Sequence, residues 1–131
     1  MHLTTVALKK VFITFVFYFQ VTSHEICHVF GMSHCSYFAC GMNESKSILQ
    51  AESQPLFLCP VCLRKLQKAL YFDIVERYEV LYNFLDSLTQ CDLLQKGCDR
   101  DSLQTASACK FVSSMNWLNS MLVFIENKPT T

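Results

Sequence analysis

The chain has 131 residues, 51% of them hydrophobic, with 11 basic and 11 acidic side chains that cancel to zero net charge. That is one domain's worth of chain, with enough apolar material for a core. No basic run or stripe marks it for nucleic acid, and no such partner is expected.

The chain opens on Lys9-Lys10 and an apolar run from Val11 to Phe19. The run is too short to span a bilayer, which takes about 20 apolar residues in a helix. A positive start, an apolar centre and Val21-Thr22-Ser23 together mimic a secretory signal over residues 1–23. The competing readings are a buried strand or the first turns of a longer helix leading into His24. Cleavage after Ser23 would remove the start of that helix, and secretion would favour disulfides over thiolate metal sites. An intracellular location is therefore expected, membrane association is not, and residues 1–21 stand as a leader of open role.

From His24 the chain reads H-E-I-C-H-V-F-G-M-S-H-C. Residues four apart share a helix face, so His24 and His28 can offer imidazole nitrogens to one ion without bending the backbone. A catalytic zinc uses three protein ligands and keeps a fourth position for water. His34 lies too far along to share that face. Gly31 supplies the positive φ that ends a helix and swings the chain back. Glu25, beside the first ligand, is placed to take a proton from water at the metal. A plainer reading of Glu25 is a capping box with Thr22, since T-x-x-E also marks a helix start.

Cys35, Cys40, Cys59 and Cys62 follow as C-x4-C and then C-P-V-C. Two short-spaced pairs are the usual supply for a closed, structural zinc held by four thiolates. Two disulfides are the alternative, less suited to C-x-x-C in a helix-rich segment. Cys27, Cys91, Cys98 and Cys109 have no motif spacing and read as plain thiols.

The polar stretch from Asn43 to Gln54, closed by Pro55, reads as a loop. Leu63, Leu66 and Leu70 recur at helical spacing after Cys62. Asp73 with Glu76 opens a helix whose inward residues are Ile74, Tyr78, Leu81 and Leu85. A turn-rich connection runs from Thr89 to Asp101. Asp101 with Gln104 then caps a last helix striped by Phe111, Met115, Leu118, Leu122 and Ile125, with Pro129 marking its end. These stripes read as core packing.

Taken together, H-E-x-x-H-x-x-G-x-x-H, the cysteine after the third histidine, C-x4-C-x-M and C-P-x-C-L-R-K-L-Q resemble the archaemetzincins, a family of metzincin zinc metallopeptidases. The resemblance runs from about Thr22 through Val75-Glu76-Arg77-Tyr78 and fades beyond Leu88. It implies a catalytic zinc on His24, His28 and His34, Glu25 as general base, and a second zinc on Cys35, Cys40, Cys59 and Cys62. It also makes Met42 the methionine of a Met-turn and small peptides the substrate, with aminopeptidase-like behaviour. The expected fold is mainly α: the C-terminal portion of a zincin-like domain, with active-site helix, Met-turn, four-cysteine site and following helices. The metal-binding region is expected over residues 22–88 and a C-terminal loop and helix over 89–131. Three departures stand out. Cys27 replaces a usual glycine, where its thiol would crowd the helix or compete for metal. Asn43-Glu44-Ser45 replaces x-G-S, which puts the Met-turn in question. Residues 1–23 are also too few to supply the sheet that precedes such a helix. The rival reading is therefore a zinc-binding fragment without catalysis.

Overall fold

The computed structural model describes residues 2–90 and 103–127. Five helices make up its regular structure: α1 (His2–Val29), α2 (Ile48–Ser53), α3 (Pro60–Leu70), α4 (Ile74–Thr89) and α5 (Leu103–Glu126). The one β-type pairing among the described residues is an isolated parallel bridge between Cys35 and Asn43. Mainly α is the fold class expected, and the helices after the cysteine pairs fall where the apolar periods put them.

Helix α1 is continuous through the apolar run and the histidine motif. Its β-branched and aromatic residues are poor helix formers, so packing has to hold it. Val16, Gln20 and Cys27 form its buried side. Phe12 lies 6.3 Å from Phe111 and Phe19 lies 5.6 Å from Phe84, ring centre to ring centre, tying α1 to α5 and α4. Val11, Phe15 and Tyr18 face outward. No helix among the described residues is long and apolar enough to cross a membrane. Because α1 begins far upstream, Thr22 lies inside it and caps nothing, which removes the capping-box reading of Glu25.

Helix α4 starts where Asp73 accepts a hydrogen bond from the Glu76 amide at 2.8 Å. It buries Tyr78 and Leu85 against α5, which buries Phe111 and Leu118 in return. Trp117 of α5 stacks flat on Phe57 at 3.9 Å and meets Tyr78 edge-on. This closes the core over the chain that leads into α3. Leu63 and Leu66 of α3 are buried as expected, but Leu70 is 44% exposed. It is the last residue before Tyr71, which turns left-handed at φ 54° and carries the chain off the core.

The expected loop from Asn43 to Gln54 contains α2. Ser47 caps it by accepting from the Gln50 amide, and the Gln50 side chain returns to accept from the Lys46 amide. This S-x-x-Q start is a local capping signal in a stretch whose lack of apolar period hides the helix. The rest of the Thr89–Asp101 connection after Gln90, with Cys91, Cys98, the Asp101 cap and Pro129, lies outside the described residues, as does the Cys109 side chain.

Candidate metal centre

The histidine helix ends in a Schellman motif. The Met32 amide donates to Cys27 O at 3.1 Å and the Gly31 amide to His28 O at 2.9 Å, with Gly31 at φ +81°. A Cβ at Gly31 would meet nothing within 4 Å, so the glycine is needed for its backbone angle alone. The reversal brings His34 back over the helix it has just left.

The three imidazoles then converge. His28 Nε2 lies 3.0 Å from His24 Nε2 and 3.2 Å from His34 Nε2. His24 Nδ1 sits 2.8 Å from the Gly41 carbonyl and His28 Nδ1 2.7 Å from the Met32 carbonyl. A carbonyl only accepts, so both Nδ1 atoms carry the hydrogen, and in its neutral form each ring presents a lone pair at Nε2. The close Nε2 pair is therefore not a hydrogen bond but two lone pairs face to face, an arrangement that a cation between them satisfies. With Zn–N bonds of about 2.0–2.1 Å, tetrahedral ligand nitrogens stand roughly 3.3–3.4 Å apart. The observed separations are close to that, and the donor set fits zinc. His24 and His28 are half-buried and His34 is exposed, which leaves the cluster open to solvent on one side. Glu25 is exposed beside it.

Cys35, Cys40, Cys59 and Cys62 meet in a second cluster, the last three buried. All four are free thiols. Cys35 Sγ and Cys59 Sγ are 3.9 Å apart, far beyond a disulfide bond of about 2.05 Å. Sulfurs on one tetrahedral zinc, with bonds of about 2.3 Å, would stand roughly 3.8 Å apart. Amides point at the sulfurs: Cys59 and Met42 donate to Cys40 Sγ at 3.2 and 3.4 Å, and Cys62 donates to Cys59 Sγ at 3.4 Å. Such donors favour the thiolate form. Burial, reinforced by its crowded neighbours, pushes the Cys62 thiol far up, and burial pushes Cys40 up to about 11. Burial also works against ionisation of Cys35. The Tyr37 and Phe38 amides with the Cys59 and Cys62 thiols outweigh it and bring Cys35 down to about 7. Four thiols in this space cannot all ionise by themselves, whereas a divalent cation lets them.

One loop joins the clusters. Gly41 gives its carbonyl to His24 and its amide to Phe57 O at 2.7 Å, and a Cβ there would come within 3.2 Å of that same oxygen. Met42 is fully buried and shares with His24, Cys27 and Arg77 a cavity of about 110 Å³. The turn after Met42 forms without glycine. The Asn43 side chain accepts from the Cys40 amide at 2.9 Å and donates to the carbonyls of Cys35 and Phe38, both at 2.8 Å. Asn43→Ala removes all three bonds and is expected to lower stability by about 1–3 kcal/mol, read as a fall in Tm. Cys27 is buried toward the core and belongs to neither cluster. Sequence reasoning missed the role of Gly41, which runs through His24 and Phe57 in distant segments, and that of the Asn43 side chain, whose three bonds within its own loop follow no motif spacing.

Imidazoles from an H-E-x-x-H helix stand beside a four-cysteine box, two donor sets that each fit zinc. Residues 5–68 match peptidase family M54. The chain is similar to archaemetzincin-2 of Homo sapiens, 50% identical over 67 residues covering 51% of this chain and 19% of the relative. Archaemetzincin-2 of Mus musculus is 47% identical over 67 residues, with the same 51% and 19% coverage. Archaemetzincin-1 of Homo sapiens is 44% identical over 69 residues, covering 53% of this chain and 14% of the relative. The chain thus spans about a fifth of the archaemetzincin-2 relatives. The family match reaches back to residue 5, well upstream of Thr22, so the apolar stretch of α1 falls within it. No solved structure matches the chain.

Proposed function

We propose that this chain carries the zinc centres of an archaemetzincin-type metallopeptidase and hydrolyses peptide bonds in small peptides. His24, His28 and His34 hold one zinc, and Cys35, Cys40, Cys59 and Cys62 hold a second that staples the loop to α3. When bound, the first ion supplies Lewis-acid polarisation of the scissile carbonyl and acidifies water. Glu25 accepts a proton from the attacking water and returns it to the leaving amine nitrogen. The Gly41 and Met32 carbonyls hold two imidazoles in the tautomer that leaves Nε2 free. Met42 packs beneath, in the cavity shared with His24.

The observation that carries this reading is the face-to-face Nε2 lone pairs of His24 and His28 at 3.0 Å. Peptide hydrolysis by the zinc-loaded chain is the test. Glu25→Ala is expected to reduce turnover by roughly 10²–10⁴-fold, the usual contribution of a positioned general base. Equal rates for the two proteins would remove the peptidase assignment and leave a metal-binding chain without catalysis.

A further inference from the structure

Away from both clusters, α1, α2 and α5 line a cavity of about 610 Å³, open to solvent on one side, that contains none of the candidate metal ligands. That is within the size range of small-molecule sites, about 300–1,000 Å³. Its walls are mainly apolar, with Val16 and Phe17 from α1, Leu49 from α2, and Phe57 from the chain before α3.

Into this space α5 sends Lys110. Its Nζ donates to the Gln20 side-chain oxygen and, at 2.8 Å, to the Glu52 main-chain carbonyl. Gln20 is itself fixed, because its amide nitrogen donates to Ala51 O at 2.7 Å and so turns its oxygen toward the lysine. Both of these acceptors are neutral. The ammonium is therefore solvated by the protein but not neutralised by them, and a primary amine has a third N–H to offer. Burial brings Lys110 down to about 8, although the Glu52 charge works the other way. A mainly apolar cavity with one cation hydrogen-bonded to neutral acceptors suits an anion with an apolar body. The Glu52 carboxylate lines the same cavity, which disfavours a dianion, and the apolar walls offer little to the outer oxygens of a phosphate.

We propose that this cavity is a binding site for an amphiphilic monocarboxylate, with its carboxylate on Lys110 Nζ and its apolar body against Val16, Phe17, Leu49 and Phe57. The site stands independently of the metal clusters.

Decanoate is the probe, titrated into the zinc-loaded full chain below its micelle concentration and followed by calorimetry. Fluorescence of Trp117, the one tryptophan, gives a second readout because its ring stacks on Phe57. The expected result is one decanoate per chain, bound at least tenfold more weakly by Lys110→Met, with decanol binding both proteins alike and weakly. Ser113→Phe fills the cavity from α5 while leaving the lysine in place, and is expected to cost at least tenfold as well. No saturable binding, equal affinity of decanoate for wild type and Lys110→Met, or unchanged affinity in Ser113→Phe would each overturn the proposal.

Discussion

Cys59→Ser is expected to leave the chain without a cooperative unfolding transition at 25 °C. Cys59 has four attachments in one residue. Its Sγ stands 3.9 Å from that of Cys35, its amide donates to Cys40 Sγ, its sulfur caps α3 by accepting from Cys62, and its carbonyl accepts from Leu63. Serine is itself a good N-cap, so the capping role largely survives the exchange. What serine does not replace is a buried thiolate on the proposed zinc. A four-thiolate zinc contributes on the order of 10 kcal/mol to the folding of a small domain, comparable to a whole domain's net stability of about 5–15 kcal/mol. Circular dichroism on heating reads the loss directly, and a strong chelator added to the wild-type chain should reproduce it. A Cys59→Ser melting point within a few degrees of wild type would mean that the cysteine box is only core packing.

The features visible in the sequence are those fixed by short-range chain geometry. The i, i+4 offset of His24 and His28, the left-handed Gly31 and the Asp73 cap each follow from a few consecutive residues. The four cysteines were readable for a similar reason, because each short pair is a local unit. Where local pattern was ambiguous, packing decided. The Val11–Phe19 run suits a strand as well as a helix, and only burial of Val16 and the contacts of Phe12 and Phe19 make it part of α1. Thr22 and Glu25 have a helix-start spacing, yet the same spacing occurs inside a helix. Cys27 looked like a competing ligand because it is adjacent to His28, but one residue along a helix rotates the side chain by about 100°. That rotation puts Cys27 in the core. Glu44 stands where the glycine was expected, yet the side-chain amide of Asn43 beside it supplies hydrogen bonds that hold the turn. Gly41 and Lys110 act through partners 16 or more residues away, which no local period reveals.

The second large effect belongs to the histidines. His28→Ala should reduce bound zinc from two ions per chain to one and abolish peptide turnover, while the thermal transition persists. His28 is the middle member, with Nε2 within 3.2 Å of the Nε2 of both other rings, so its loss removes the ring that stands nearest to each of them. The two remaining imidazoles, one of them on the exposed side, hold zinc far more weakly than three. Folding should survive because the Schellman bonds at Gly31 and Met32 are made by the backbone, and because the proposed structural ion would be held by the cysteines. The Met32 carbonyl loses its imidazole donor, but it lies beside solvent-accessible His28, where water can replace it. Elemental analysis of dialysed protein distinguishes this from Glu25→Ala, which should keep both ions and lose only the rate. Two zinc ions still bound to folded His28→Ala would show that the imidazoles are not the ligands. Loss of both ions with loss of folding would instead mean that the clusters form one cooperative unit, coupled through the Gly41 carbonyl on His24 and the Cys40–Met42 turn.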